Sequence, residues 1–236
     1  MFNIGLSGTL TSDQITSSYT FNPQSGAYTR RPTNVNGNWQ TELTAGFEHY
    51  ADSAQHWRLA YNITTTWQDI AYMAADDAAQ LPEKVLMHRQ HVNGTLKTTY
   101  QPNSKLTLEV SGGVNFEHST GSLSTYTDER LWNIRYGAQL QWRLPWGTQF
   151  GTNVMLYHHR GYSEPAWNNN ELICNLQLSH SFLKGKPLTL KLTGYDLCGQ
   201  ATHKSYMLTP NGFSIVKQKG MPSYLLLSAF YKFKYK

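Results

Sequence analysis

No run of this sequence approaches the roughly 18 consecutive apolar residues that a membrane helix requires. The densest stretch, Tyr224–Leu227, is short, and the mean hydropathy is −0.51. A bundle of membrane helices is thereby excluded. Charge is also sparse: Asp, Glu, Lys and Arg make up 15% of the 236 residues, and the net charge of +5 is spread along the chain without a basic cluster. Nucleic acid is therefore not an expected partner. Cysteine is nearly absent. Cys174 and Cys198 match no metal-binding or redox spacing. If the chain turns at Lys184–Pro187, they fall diagonally on neighbouring strands, either as a disulfide or as two unlinked thiols. The N-terminus lacks a basic segment followed by an apolar run and a cleavage site. Met1–Leu6 is already strand-like, so the sequence reads as a processed chain or a portion of a longer one.

What the sequence has in abundance is alternation with a period of two. From Trp132 to Leu144 the even positions are Trp132, Ile134, Tyr136, Ala138, Leu140, Trp142 and Leu144, and the odd ones are Asn133, Arg135, Gly137, Gln139, Gln141 and Arg143. Successive side chains of a strand point to opposite faces, so one face is apolar and the other polar. The polar face holds too much arginine and glutamine for a dry core. An apolar outside around a wet inside is the pattern of a transmembrane β-barrel, whose strands of about 9–11 residues leave mean hydropathy low.

About ten such segments are expected. They begin near Phe2, Trp39, Trp57, Val92, Leu106, Trp132, Phe150, Leu172, Leu188 and Leu225. The fourth is weaker and the seventh, Phe150–His159, is ambiguous in phase. The connections alternate in length. Short ones fall near Ala51–Gln55, Pro102–Lys105, Pro145–Thr148 and Lys184–Pro187; long ones near Pro23–Asn34, Met73–Glu83, His118–Thr127, Gly161–Asn169 and Ala201–Met221. Outer-membrane barrels have short periplasmic turns and long extracellular loops, which places both chain ends on the periplasmic side. Tyr50, Trp57, Tyr100, Trp142, Trp146, Phe150, Phe182 and Phe233 lie near a short turn or the C-terminus, where a periplasmic aromatic girdle belongs. Trp39, Trp67, Phe116, Trp132 and Tyr195 form a second set near the long loops.

The same alternation selects Arg58, Arg89, Glu109, Glu117, Arg135, Gln139, Gln141 and Arg143 as lumen-facing candidates. In a narrow barrel they pair as a polar core; in a wide one they face water, a plug or a solute. The nine histidines include the pairs His88/His91 and His158/His159. Strand geometry puts the members of each pair on opposite faces, so no metal site is expected from them. Asp76, Asp77, Glu117, His118 and Ser119 lie in or near loops without a recognised catalytic motif, and no glycine-rich phosphate loop occurs. Neither enzymatic activity nor a cofactor is expected.

The segments Phe182-Leu-Lys-Gly-Lys186, Leu188-Thr-Leu-Lys-Leu192, Tyr195-Asp196-Leu197 with Gln200, and Pro222–Phe233 resemble the closing strands of Bacteroidetes outer-membrane β-barrel proteins of the TonB-dependent receptor class. The resemblance is sharpest over about the last 65 residues. It implies a barrel of about 22 strands with an N-terminal plug, importing iron chelates, glycans or peptides with energy passed from the inner membrane. On their own pattern, the alternating aromatics ending at Phe233 and Tyr235 look like a terminal signal read by the barrel-assembly machinery, with a plain aromatic girdle as the alternative. The chain departs from the family in ending on Lys236, and it contains neither a plug-length segment nor an energy-coupling box. Residues 1–236 are thus expected to form a single barrel region, the C-terminal portion of an outer-membrane nutrient-uptake barrel. Its partners would be outer-membrane lipid, the assembly machinery, and a preceding barrel portion and plug. A complete ten-strand pore or adhesin is the alternative, and a secreted carbohydrate-binding β protein is a more distant one.

Overall fold

A computed structural model of the chain describes residues 1–22, 24–25, 27–75, 81–123, 126, 128–183, 185, 187–202, 204–209, 212–217, 220 and 223–233. The strands are β1 (Phe2–Thr11), β2 (Gln14–Asn22), β3 (Ala27–Val35), β4 (Asn38–Tyr50), β5 (Trp57–Ala74), β6 (Glu83–Asn103) and β7 (Leu106–Gly121). They continue with β8 (Glu129–Arg143), β9 (Gln149–Arg160), β10 (Asn170–Phe182), β11 (Leu188–Tyr195), β12 (Lys204–Thr209), β13 (Gly212–Lys217) and β14 (Tyr224–Tyr231). Ten of them form one antiparallel sheet in the order β1-β4-β5-β6-β7-β8-β9-β10-β11-β14. The two hairpins β2–β3 and β12–β13 interrupt an otherwise consecutive meander and stand as separate two-stranded sheets. Among the described residues no pairing joins β1 to β14, so the sheet is not closed. No described helix is long and apolar enough to cross a membrane, which says nothing of strands.

The register carries the alternation across the whole sheet. Leu6 pairs with Leu43, Ile63 with Ala45, Tyr61 with Leu96, Leu96 with Gly112, Val114 with Ile134, Leu140 with Leu108 and Val154 with Ala138. Leu156 pairs with Leu172, Leu178 with Leu192, and Leu192 with Leu227. All these residues lie on one face. It is largely uncovered: Phe2, Leu6, Ile63, Leu96, Ile134, Trp142, Leu225 and Leu227 are exposed. The main cluster of buried hydrophobic residues is small and lies at one end of the opposite face. The seventh expected segment, β9, takes its phase from its neighbours. Phe150, Thr152, Val154 and Leu156 join the apolar face, whereas Gln149, Asn153 and His159 join the polar one.

Short turns at one rim are built by residues suited to tight reversals. The Asp52 carboxylate accepts hydrogen bonds from the backbone N–H of Trp57 (2.8 Å) and His56 (3.1 Å), while Gln55 adopts a φ of 58°. Asn103 Oδ1 accepts from the N–H of Lys105 (2.8 Å) and Leu106 (3.1 Å). Between β8 and β9, Gly147 takes a φ of 88° and its N–H reaches the Leu144 carbonyl at 2.9 Å. The β10–β11 turn lies partly outside the described residues, as do Tyr235, Lys236 and the loop carboxylates Asp76 and Asp77. Long connections fill the other rim, so the expected alternation of short and long is observed.

Trp57, Tyr100, Trp142, Phe150 and Phe182 sit on the apolar face at the short-turn rim, with Trp57 and Tyr100 in ring contact at 4.4 Å. Trp146 lies in the turn itself, and Phe233, just past β14, packs against Tyr231. Tyr50 departs from the expected set. It pairs with Arg58 and shares that residue's polar face, because its parity on β4 is opposite to that of Phe47. Tyr195 likewise belongs to the polar face, where it pairs and stacks with Tyr224 at 5.5 Å. Trp39, Trp67, Phe116 and Trp132 hold the apolar face toward the long loops, with Phe116 and Trp132 4.4 Å apart.

Two predictions follow from this geometry. A Cβ on Gly137 would stand 2.1 Å from the Val154 carbonyl and 2.5 Å from Met155 Sδ. Gly137→Ala should therefore force β8 and β9 apart and destabilise the sheet by about 1–3 kcal/mol, read as a lowered denaturation midpoint. The backbone donors around Asp52 hold its carboxyl below the ordinary value of 3.8, Trp57 N–H foremost. A lowered folded pKa contributes stability that is complete above the ordinary value and disappears as pH falls through the folded one. Hydrogen exchange of the His56 and Trp57 amides, corrected for intrinsic rate, should be protected near pH 5 and lose protection near pH 2; pH-independent protection would refute the role.

Candidate functional site

All eight lumen-facing candidates fall on the polar face of the one sheet. Arg58 pairs in register with Thr99, Arg89 with Ser119, and Glu109 with Gln139. Arg135, Gln141 and Arg143 continue the same side along β8, opposite Gly113, Thr107 and, on β9, Gln149. Three ion pairs bridge neighbouring strands there: Arg58–Glu48 at 3.5 Å, Lys97–Glu109 at 2.7 Å and Arg89–Glu117 at 2.5 Å. Each is a same-face neighbour contact of the kind that aligns antiparallel strands. Arg58–Glu48 is water-exposed and worth little; Arg89–Glu117 is the most shielded. Arg135 and Arg143 make no ion pair among the described residues. Arg135 lies across Gly113, where its Nε is 3.0 Å from the site of a Cβ.

Toward the long loops the polar face changes character. Ile70 and Tyr72 on β5, Val85 and Met87 on β6, and Leu131 on β8 occupy polar-face positions yet are apolar. Tyr72, Val85, Met87 and Leu131 are buried together with Tyr162 from the loop after β9; Met87 has 0% exposure. Leu123, Tyr126, Trp167 and Tyr206 pack around them, so residues from three connections converge on this end of the polar side. The cover is hydrogen-bonded as well as packed. Glu129, only 3% exposed, accepts from Ser163 Oγ at 2.6 Å and from Tyr206 Oη at 3.1 Å. Tyr162 Oη donates to Asn133 Oδ1 at 2.7 Å, and the Ser119 and Tyr126 hydroxyls are 2.6 Å apart. Burial pushes the Tyr126, Tyr162 and Tyr206 phenols above their ordinary pKa, which keeps them as neutral donors. Gly161 makes the entry possible: its φ is +84°, and a Cβ there would meet the Arg130 carbonyl at 1.8 Å.

A second knot ties the loop after β11 to β10. Asp196 N–H donates to Asn175 Oδ1 (2.9 Å), Leu197 N–H to the Cys174 carbonyl (2.8 Å), and Leu172 N–H to Gln200 Oε1 (2.9 Å). Asp196, 3% exposed, receives the N–H of Ala201 at 2.8 Å. Glu171 takes the Thr202 N–H at 3.2 Å and also its hydroxyl. Cys174 and Cys198 are unbonded thiols brought near one another by this return.

Among the described residues the members of the remaining motifs stand apart from one another. His88 pairs with Asp69 at 2.6 Å, whereas His91, on the other face, meets Asn115 at 2.7 Å. His158 contacts Asn170 and Tyr136, and His159, opposite, contacts Asn133. Glu117 and His118 face opposite sides, and Ser119 is engaged with Tyr126. No cluster of three metal-ligating side chains occurs among the described residues. Comparison with known protein families, curated proteins and solved structures yields no match.

The loop cover rests on Glu129. Glu129→Ala removes the acceptor of two hydroxyl donors and should weaken the cover by about 1–3 kcal/mol. Limited proteolysis should then cut the 161–169 loop faster while the sheet stays intact; unchanged cleavage would refute the arrangement.

Proposed function

We propose that this chain is the C-terminal wall of an outer-membrane β-barrel of the TonB-dependent-receptor-like nutrient-uptake type, with lipid on its apolar face and a water-filled lumen on its polar one. One observation carries the reading: a ten-strand meander whose continuous apolar face is left uncovered while its polar face holds the ion pairs and amides. A water-soluble protein of this size does not leave so large a contiguous apolar surface in water. In a bilayer that surface is the solvated one. Short turns at one rim and folded long loops at the other agree with a periplasmic and an extracellular end. The open edges of β1 and β14 favour a wall that is continued by further strands over a self-closed ten-strand barrel, since an exposed edge is a template for pairing. Nutrient uptake enters from the resemblance of the closing strands. The inward-folding loops of the polar side support it by narrowing the lumen at its outer end.

Single cysteines at positions 138, 139, 140 and 141 test the face assignment. In lipid bilayers, cysteines replacing Ala138 and Leu140 should resist a water-soluble maleimide and be quenched by lipid-borne quenchers; those replacing Gln139 and Gln141 should behave in the opposite way. Leu140→Arg should destabilise the sheet by about 2–4 kcal/mol near the bilayer midplane, and Gln139→Arg should cost little. Lipid quenching at none of the four positions would end the reading.

A further inference from the structure

The sequence holds two cysteines, and the fold brings both to one point. Cys174 lies on β10 just beyond the place where β11 stops pairing with it. Leu176 opposite Gly194 ends that register, so the chain that follows Tyr195 meets the β10 edge at Cys174. There it turns tightly: Gly199 N–H donates to the Asp196 carbonyl at 2.8 Å, with Asp196 at a φ of 44° and Gly199 at 65°. Cys198 is the third residue of this turn. Its neighbour Leu197 donates its N–H to the Cys174 carbonyl at 2.8 Å. Hydrogen bonds from Asp196 N–H to Asn175 Oδ1 and from Leu172 N–H to Gln200 Oε1, each 2.9 Å, clamp the turn on both sides of Cys174. The two thiols therefore face one another within hydrogen-bonding reach. Cys198 is exposed and Cys174 half-buried, so a reagent arriving from water meets Cys198 first.

The chemistry open to such a pair is narrow. A structural zinc site takes four ligands, and no cluster of three metal-ligating side chains occurs among the described residues. Two thiols already held together by the backbone can be joined to each other without moving a strand.

We propose that Cys174 and Cys198 are the two halves of a disulfide latch that fastens the Asp196–Thr202 return to the edge of β10. The inference rests on the outer-membrane reading for its oxidising surroundings, in which such bonds persist. The step takes a disulfide-bearing oxidant. The Cys198 thiolate attacks one sulfur of that oxidant and releases the other as a thiol. The Cys174 thiolate then attacks Cys198 Sγ in the mixed disulfide and expels the second thiol. The chain gives up two electrons and two protons, and the oxidant leaves as two thiols. Closed, the latch makes covalent what hydrogen bonds otherwise hold: Asp196, Leu197 and Gln200 stay on β10, and Thr202 stays against Glu171. A return that peels away would bare the β10 edge as a template for pairing with another chain.

The full chain in detergent micelles, incubated with oxidised glutathione and then alkylated in denaturant, tests this by mass. Both thiols should disappear together, and a peptide cross-linked between Cys174 and Cys198 should appear with no glutathione attached. Exchange of the Leu197 and Ala201 amides should be about tenfold slower in the oxidised chain than in the reduced one. Cys198→Ser, in the exposed turn, and Cys174→Ala should each abolish that difference, with circular dichroism confirming that both variants fold. Lasting glutathione adducts on the unaltered chain, disulfide-linked dimers in place of the internal bond, or amides that exchange equally fast in both states would overturn the proposal. Lipid quenching at positions 138–141, measured in a chain carrying Cys174→Ala and Cys198→Ser, keeps the two readings apart. Quenching without the internal bond defeats only the latch, and the internal bond without quenching defeats only the membrane wall.

Discussion

Everything in this molecule depends on an apolar face with nothing of its own to cover it. A sheet in a water-soluble protein hides its apolar side against a second layer, and the free energy of that burial holds the layers together. Among the described residues no second layer lies along the apolar side. Leu6, Leu43, Ile63, Leu96, Ile134, Leu178 and Leu227 run across ten strands as one continuous surface. The backbone ladder supplies the internal cohesion, and an apolar surrounding would supply the rest. The polar face can then remain loosely filled, with ion pairs and amides where an ordinary protein would have its core.

Much of this was legible because strand alternation is a local signal. The phase of β8 follows from its own residues, and so do those of β4, β5 and β7. β9 is different: Thr152 on its apolar side, and Met155 and Tyr157 on its polar side, blur the distinction. Only pairing with β8 and β10 resolves it. Distance from a turn places Tyr50 and Tyr195 at the rims, and parity along their own strands puts them on the polar face there. Where position and parity disagree, the strand obeys parity, since the pleat cannot be broken for one ring.

The loop cover was harder to foresee. Met87, Leu131, Tyr162 and Tyr206 are far apart in sequence, and no local period relates them. A signal was nevertheless present on the polar row itself, where Gln68 is followed by Ile70 and Tyr72, Arg89 is preceded by Met87 and Val85, and Asn133 by Leu131. Three strands turn apolar on the same side at the same end. That inversion marks where a wet face becomes a dry one and must be covered. The hairpins β2–β3 and β12–β13 were also hidden, because they lie within long connections and pair only with themselves.

The segment from Asp196 to Thr202 has a consequence for how the protein can change. β11 ends at Tyr195, short of the full length of β10, and a bare stretch of β10 edge would otherwise be left beyond it. The returning chain supplies the missing partners through Asp196, Leu197 and Gln200 before the connection leaves for β12. The wall is therefore sealed upstream of the hairpin. What lies between residues 203 and 222 can be lengthened or shortened without baring the edge of β10, so long as Tyr206 keeps its place against Glu129 and Tyr162 in the cover.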